Sequence, residues 1–196
     1  MDRHSKVSRE TNETKISVKL NLSGSGQGTI GTGIGFFDHM LDALKKHALI
    51  DLSIEAKGDL YIDGHHTVED VGIVLGQAFD QALKNREKIT RFGHAYCPLD
   101  EALSRAVVDV SGRPFLAFES GIKFGKVGEF DGELFEEFLR AFATNAKITL
   151  HVSYLAGKNQ HHILESMIKA VARALRMAIS YDDRQTGVPS TKGVLA

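Results

Sequence analysis

The chain carries the pattern His-His-x-x-Glu twice, once in each half. The two copies are His65-His66-Thr67-Val68-Glu69 and His161-His162-Ile163-Leu164-Glu165. Imidazole nitrogens and carboxylate oxygens are ligands with which proteins bind divalent transition metals. Histidine accounts for only 9 of 196 residues, so a repeated pattern that begins with paired histidines indicates a metal site more strongly than a single copy does.

Both patterns open a segment with the 3.6-residue period of an amphipathic helix. The apolar stripes that follow them are Val71, Leu75, Ala78, Phe79 and Ala82 in the first half, and Met167, Val171, Ala174, Leu175 and Ala178 in the second. Residues four apart share a helix face, so the first histidine and the glutamate of each pattern can hold one ion together. Adjacent histidines point about 100° apart, which leaves the second histidine for a different ion. The repetition predicts an internal duplication and a two-metal site; the alternative is helix caps or surface His/Glu pairs.

Two metals need more ligands than the two patterns supply. The best further candidates are His39, at the start of a predicted helix, and His151, on a predicted strand expected to point into the same region as His161. The alternatives are a capping or packed His39 and a structural His151. The predicted ligand set is His39, His65, His66, Glu69, His151, His161, His162 and Glu165. This ligand set leaves coordination positions free for substrate or water. Its nitrogen and oxygen ligands are compatible with Mn, Fe, Co, Ni and Zn, so ligand type alone does not identify the metal.

Several cationic or hydroxyl side chains indicate an anionic ligand. Lys169 and Arg173 continue the helical stripe that begins at His161, although the alternative for Lys169 is a solvated pair with the preceding glutamate. Arg113 follows a Ser-Gly turn, and Ser190-Thr191-Lys192-Gly193 lies near the C-terminus. Together these residues predict a small phosphorylated substrate.

Hydrophobic periodicity predicts the elements that must position these residues. In the first half it predicts a strand over 16–22, a returning strand over 29–32, a helix over 36–46, a strand over 52–56 and a helix to about 86. In the second half it predicts strands over 106–110 and 115–118, a helix over 133–145, a strand over 148–152 and a helix to about 180. Residues 1–10 are expected to be frayed and residues 87–102 to be a connection. Each half therefore has the order ββαβα, and the halves are expected to share a sheet-against-helix core.

Composition excludes several classes of function. Apolar residues make up 42% of the chain and charged residues 25%, and the formal net charge is −1. Without a basic run, nucleic acid and anionic membranes are not favoured as partners. Cys97 is the single cysteine, which fits a reducing compartment. The N-terminus lacks the apolar core of a signal peptide, so we expect a cytoplasmic protein.

With these motifs the chain resembles the imidazoleglycerol-phosphate dehydratases. The resemblance rests on the motifs Arg9-x-Thr11-x-Glu13-Thr14, Thr32-Gly33-Ile34-Gly35-Phe36-Phe37-Asp38-His39-Met40-Leu41, Gly64-His65-His66-x-x-Glu69-Asp70, Asp109-x-Ser111-Gly112-Arg113-Pro114, Ile148-Thr149-Leu150-His151, His161-His162-x-x-Glu165 and Ser190-x-Lys192-Gly193. It implies an α+β fold, an α/β two-layer sandwich with internally duplicated β-β-α-β-α halves like ribosomal protein S5 domain 2. The chain is then a single domain over 1–196, with a repeat at about 9–90 and 91–185, and its length matches the form without a fused phosphatase domain.

The resemblance also implies a chemistry. The reaction is the elimination of water from imidazole glycerol phosphate to give imidazole acetol phosphate, in L-histidine biosynthesis. Two Mn²⁺ per active site flank the imidazole ring, and 24 subunits built from trimers form the sites at their interfaces. The residues implied to shuttle protons are Glu13, Glu69 and Glu165, with Glu13 also touching substrate. The residues implied to hold the phosphate are Arg91, Arg113, Lys169, Ser190 and Lys192.

Two other functions are compatible with the same ligands. A di-metal phosphoester hydrolase would use the ions to activate water. A non-catalytic metal-buffering or assembly protein would bind the ions through the same residues, but it would gain nothing from the anion-binding positions at Arg113 and Lys192.

Overall fold

The computed structural model describes residues 3–195, which fold as two halves of matching architecture. The first half contains β1 (His4–Glu10), β2 (Thr14–Asn21), β3 (Ile30–Gly31), α1 (Gly35–Ala48), β4 (Asp51–Gly58) and α2 (His65–Leu83). The second contains β5 (Phe92–Leu99), β6 (Ala102–Asp109), β7 (Phe115–Glu119), β8 (Lys126–Val127), β9 (Phe130–Asp131), α3 (Leu134–Ala146), β10 (Thr149–Ala156) and α4 (Gln160–Ile179).

Each half forms its own four-stranded sheet with the same strand order. The first sheet has the order β1-β2-β4-β3, and the second has the equivalent order β5-β6-β10-β7. In both sheets one edge pair is parallel, β3 with β4 and β7 with β10, and the other pairs are antiparallel. The predicted duplicated ββαβα fold is confirmed, with one additional edge strand, β1 or β5, leading each half. The exact bounds of the repeat stay a prediction.

The prediction that residues 1–10 are frayed is wrong from residue 4 onward, while Met1 and Asp2 lie outside the described residues. Strand β1 pairs with β2 along its whole length, from His4 opposite Asn21 to Glu10 opposite Lys15. One face of β1 is half-buried against α2 but carries Val7 as its only aliphatic side chain. An edge strand with so few apolar residues shows no hydrophobic alternation in the sequence, and its pairing with β2 holds it in the sheet.

The predicted connection over 87–102 is also wrong, because it contains the edge strand β5. Gly93 and Pro98 resemble loop residues in the sequence, but both are tolerated here. Pro98 lies on an edge strand, where a residue without an N–H group need not cost the sheet a hydrogen bond between strands. Two smaller differences concern β3, the predicted returning strand, which pairs with β4 and not with the preceding strand β2, and the segment between β7 and α3, which contains the β8–β9 hairpin, for which no strand was predicted.

The core lies between the helices and the inner faces of the two sheets. Helix α2 packs against β1 and β2 and also against α3, while α4 packs against β5 and β6 and also against α1. Gly72 and Gly76 let α2 and α3 approach closely, because a Cβ at these positions would lie 2.8 and 2.7 Å from the carbonyl oxygens of Phe138 and Phe142. The helices of one half are thereby fixed against those of the other. No helix within residues 3–195 has both the length and the apolar character needed to cross a bilayer.

The outer faces of the two sheets differ in polarity. The outward residues of the first sheet are charged or polar, as in Lys15, Lys19 and Glu55. The second sheet instead exposes large apolar side chains. These are Phe92, Tyr96, Val107 and Phe115, which are 55%, 57%, 39% and 57% exposed, together with Leu155 at 43%. The duplication has kept the fold and changed what each half presents to its surroundings.

Candidate metal and substrate site

The beginning of α4 and the first turns of α1 bring three metal-type ligands together. The Nε2 atom of His161 lies 3.2 Å from Oε2 of Glu165, and Nε2 of His39 lies 3.5 Å from the same oxygen. Within residues 3–195 this is the one group of three or more His, Cys, Asp or Glu side chains whose ligand atoms all lie within 4.8 Å of one another. Two imidazoles and one carboxylate fit the coordination preferences of a divalent transition metal. We call this group the triad.

The sequence around His39 holds that residue in place. Thr32 donates two hydrogen bonds to Oδ1 of Asp38, from its backbone N–H (2.9 Å) and its hydroxyl (2.6 Å). These bonds fix the loop that enters α1. The ring of Phe36 then packs against His161, with centroids 4.9 Å apart, and against His39 at 6.2 Å. An apolar wall on one side limits the directions in which the two imidazoles can point.

Lys169 extends the triad by one helical turn. Its Nζ atom lies 2.6 Å from Oε1 of Glu165, so the carboxylate contacts a histidine with one oxygen and an ammonium with the other. Partial burial raises the pKa of the Glu165 carboxyl, but Lys169 and His39 together outweigh burial and leave that pKa below its ordinary value. Glu165 is therefore held as a carboxylate, the form that binds metal.

The second histidine of each pattern has a different partner from the first. The ring planes of His65 and His66 are 90° apart, and those of His161 and His162 are 88° apart. His66 Nδ1 lies 3.0 Å from Oδ2 of Asp59. The neighbouring histidines therefore face different directions, as the sequence predicted.

His162 repeats this arrangement in the second half. Its Nδ1 lies 2.8 Å from Oε2 of Glu101. The hydrogen bond to His162 and the backbone N–H groups of Asn159 and Lys158 lower the pKa of Glu101 to about 2. The hydrogen bond to Glu101 raises the pKa of His162, and that to Asp59 raises the pKa of His66.

The other three predicted ligands, besides His66 and His162, also lie apart from the triad. His65 lines a separate cavity of about 460 Å³ together with Phe118 and Lys123, and Glu69 lies half-buried one turn further along α2. His151 is exposed on the outer face of the second sheet, where its ring packs 5.9 Å from that of Phe115. The expectation that His151 points into the same region as His161 is wrong for a single chain, because α4 packs on the opposite face of that sheet.

Glu13 lies near His66, on a turn that is held by hydrogen bonds. The hydroxyl of Thr11 accepts hydrogen bonds from the backbone N–H groups of Glu13 (3.2 Å) and Thr14 (3.1 Å). Thr14 in turn donates to Asp70 at 2.5 Å, and Arg9 forms an ion pair with the same carboxylate. The exposed Glu13 side chain lies 3.8 Å from Nε2 of His66. This network gives the Arg-x-Thr-x-Glu-Thr motif a structural role, since Thr11 holds the turn that carries Glu13 while Arg9 and Thr14 attach the flanking strands to Asp70 of α2.

Two of the five predicted phosphate-binding residues, Arg91 and Arg113, meet at Asp109, and two more lie in the turn after Pro189. Arg91 makes a bidentate ion pair with the Asp109 carboxylate, with hydrogen bonds of 2.7 and 3.1 Å, and the Arg113 guanidinium lies 3.9 Å from the same carboxylate. Arg91 also donates to the carbonyl of Pro189 at 2.8 Å, which ties Arg91 to the residue before the turn that contains Ser190 and Lys192. The Ser190 hydroxyl accepts the backbone N–H of Lys192 at 3.2 Å. We call Arg91, Arg113, Ser190 and Lys192 the anion group; Lys169 is not part of it.

Sequence reasoning missed four residues of the site: Phe36, Asp59, Glu101 and Asp109. Phe36 and Asp109 lie within motifs that were recognised, but an aromatic wall and a bridge between arginines leave no spacing signal. Asp59 and Glu101 reach their histidines from separate turns. Only the folded loops bring them into contact, so no local pattern could have indicated them.

Comparison with known proteins gives one family. A family model described as imidazoleglycerol-phosphate dehydratase matches residues 32–175. The imidazoleglycerol-phosphate dehydratase of Gluconacetobacter diazotrophicus is 60% identical over 190 residues, which cover 96% of each chain. That of Acetivibrio thermocellus is 56% identical over 195 residues, which cover 100% of both chains.

Solved structures agree with the sequence comparison. The crystal structure of the Staphylococcus aureus imidazoleglycerol-phosphate dehydratase matches with a TM-score of 0.83 at 39% identity, covering 91% of this chain and 99% of that one. The Pyrococcus furiosus enzyme matches with a TM-score of 0.82 at 38% identity, covering 96% and 100%. The chain therefore belongs to the imidazoleglycerol-phosphate dehydratase family, the hydro-lyases of histidine biosynthesis.

Proposed function

We propose that this chain removes water from imidazole glycerol phosphate to give imidazole acetol phosphate, and that it does so with two Mn²⁺ ions per active site. The observation that carries the proposal is the triad, in a member of this family, with Lys169 continuing from it on the same helix. The free thiol of Cys97 and the absence of a basic run support a cytoplasmic enzyme without nucleic-acid or membrane partners.

The residues that would hold the metals divide into two sets. His39, His161 and Glu165 form the larger part of one site. His65, Glu69 and His151 belong to the other site. His66 and His162, the second histidines of the two patterns, each complete one of the two ligand shells. When bound, the two ions would supply positive charge that stabilises the electron density left on the substrate ring by loss of a weakly acidic proton from carbon.

The protein's own carboxylates move the protons. Glu13 is exposed and fixed by its turn, so it can accept or donate a proton without rearrangement of the backbone. Glu69 and Glu165, which also belong to the predicted ligand set, are the candidates for the second acid–base group. In this proposal one carboxylate takes the proton from carbon and another protonates the departing hydroxyl.

The distance between the triad and the anion group supports an active site shared by two chains. The backbone N–H of Arg91 bonds to Ala178 of α4 at 2.8 Å, and thirteen residues of helix separate Ala178 from Glu165, or about 20 Å. The substrate, a five-membered ring with a three-carbon chain and a phosphate, spans on the order of 10 Å at about 1.5 Å per bond. One chain therefore binds the ring, with Lys169 at the phosphate end, while the anion group of a neighbouring chain closes on the phosphate.

The apolar outer face of the second sheet supports the same self-association. His151 lies in this face beside Phe115, which is 57% exposed. Covering such a patch in an oligomer removes apolar surface from water and carries His151 toward the ligands of a neighbour. We propose that 24 copies assemble in this way, with two ions at each interface site.

One experiment tests the proposed reaction directly. The purified protein is supplied with imidazole glycerol phosphate and Mn²⁺, and both the enol/ketone product and free phosphate are measured. We expect imidazole acetol phosphate without phosphate release. Release of phosphate without dehydration would replace the proposed lyase by a phosphoester hydrolase.

A further inference from the structure

We infer that Asp59 and Glu101 are positioning residues that orient the second histidine of each pattern for metal binding. This inference rests on the proposed metal sites. An ionised carboxylate can only accept hydrogen bonds, so the ring nitrogen that faces it must carry the proton. Asp59 faces Nδ1 of His66 at 3.0 Å, and Glu101 faces Nδ1 of His162 at 2.8 Å. In both rings Nε2 is left as the nitrogen with a free lone pair, directed away from the carboxylate.

The two carboxylates are themselves held by the fold. Glu101 Oε1 accepts the backbone N–H groups of Lys158 (3.1 Å) and Asn159 (2.8 Å), which leaves Oε2 for His162. The Asp59 side chain is 10% exposed, and its backbone N–H bonds to the carbonyl of Glu13 at 3.1 Å. Each carboxylate is therefore a fixed reference point for the ring that it contacts, rather than a flexible surface charge.

The duplication supplies an independent argument. Asp59 precedes α2 in the first half, whereas Glu101 lies in the β5–β6 turn of the second half, so the two carboxylates are not equivalent positions of the repeat. The histidines are equivalent, and both receive a carboxylate at the same nitrogen. Two unrelated chain segments provide one geometry, which indicates that the geometry itself is required. Metal-binding histidines commonly need such a partner, and its loss lowers metal affinity by about 10- to 100-fold.

The test compares Asp59→Asn and Glu101→Gln with the wild type and with Asp42→Asn, an exposed carboxylate on α1 that pairs with Lys45. Nitrogen-15 NMR of the metal-free proteins reports which ring nitrogen carries the proton, and titration with Mn²⁺ gives the affinity. We expect mixed or reversed tautomers for His66 in Asp59→Asn and for His162 in Glu101→Gln, with Mn²⁺ binding weakened about 10- to 100-fold in each. Asp42→Asn should match the wild type.

The outcomes separate the inference from the proposed function. Wild-type protein that binds no Mn²⁺ would refute the proposed metal sites. Wild-type protein that binds Mn²⁺, with variants that keep both its affinity and its tautomers, would overturn the positioning role alone. Should Asp59→Asn fail to fold, Glu101→Gln still decides the question, because the Glu101 side chain is 40% exposed and its replacement disturbs little packing.

Discussion

The two His-His-x-x-Glu patterns begin equivalent helices, yet among residues 3–195 only the second assembles a cluster of ligands within its own chain. Asp63 and Asn159 accept the backbone N–H of the first histidine in each copy, at 2.8 and 2.9 Å. Beyond this common start the surroundings diverge. His161 meets Glu165 and the His39 of α1, whereas His65 faces a cavity between α3 and the β7–β8 segment. The duplication has repeated the helix start and its histidine pair, while the residues that surround the first histidine differ between the two halves.

The outer sheet faces show the same divergence. Val107 and Lys19 are the sixth residues of the equivalent strands β6 and β2, and both side chains point outward. One is aliphatic beside an exposed aromatic patch, and the other is a lysine in a polar face. The first half leaves its ligands separate, and the second half exposes an apolar face. Both features are expected if neighbouring chains associate and complete each other's metal sites.

The largest expected effect comes from breaking the assembled triad. Glu165→Gln removes the charge that both His39 and His161 face, so we expect kcat to fall by about 100- to 1000-fold, measured with saturating Mn²⁺. Glu55→Gln, an exposed carboxylate of the first sheet, should leave kcat unchanged. Retention of most activity in Glu165→Gln would mean that the triad holds no catalytic metal.

The second prediction concerns ligands outside the triad. His65→Ala and His151→Ala should each be nearly inactive. When chains of the two variants are unfolded, mixed equally and reassembled, about a quarter of shared sites regain both histidines and that share of the activity returns. Assemblies that remain inactive after mixing would place His65 and His151 of one site in the same chain.

Removing a member of the anion group should affect substrate binding more than turnover. Arg113→Ala loses a charged hydrogen bond to phosphate, so we expect KM to rise by about 10-fold or more. The matched control is Arg140→Ala, which replaces an exposed arginine that pairs with Glu136 on α3. An unchanged KM in Arg113→Ala would remove this residue from the phosphate site.

The last prediction tests the difference between the sheet faces. Val107→Glu places an unpaired carboxylate in the apolar face and should weaken association by roughly 3 kcal/mol, visible as smaller species in sedimentation velocity. Lys19→Glu makes the equivalent change in the first sheet and should leave the assembly intact. Equal behaviour of the two variants would show that the polarity difference does not govern assembly.

Much of this molecule follows from its sequence. The four long helices, α1 to α4, have broad apolar stripes, and their predicted bounds differ from the observed ones by only a few residues. The edge strands β1 and β5 were missed because one has a single aliphatic residue on its inner face and the other contains Gly93 and Pro98. Pairing with a neighbouring strand stabilises both, and such pairing is not encoded locally.

The site was predictable where ligands share a helix and not where loops meet. The spacing of His161 and Glu165 gave their contact correctly, because helix geometry fixes it. The partners Asp59 and Glu101 depend on how two turns fold. The position of His151 depends on which face of β10 it occupies, which requires knowing the side on which α4 packs.

The most direct test of the account is reconstitution of the metal-stripped protein. Mn²⁺ is added back in steps while bound metal and formation of imidazole acetol phosphate are measured in the same samples. The account predicts no turnover without metal and a return of activity that is complete when two ions are bound per chain. Full turnover by the metal-free protein, or no recovery after two ions have bound, would contradict it.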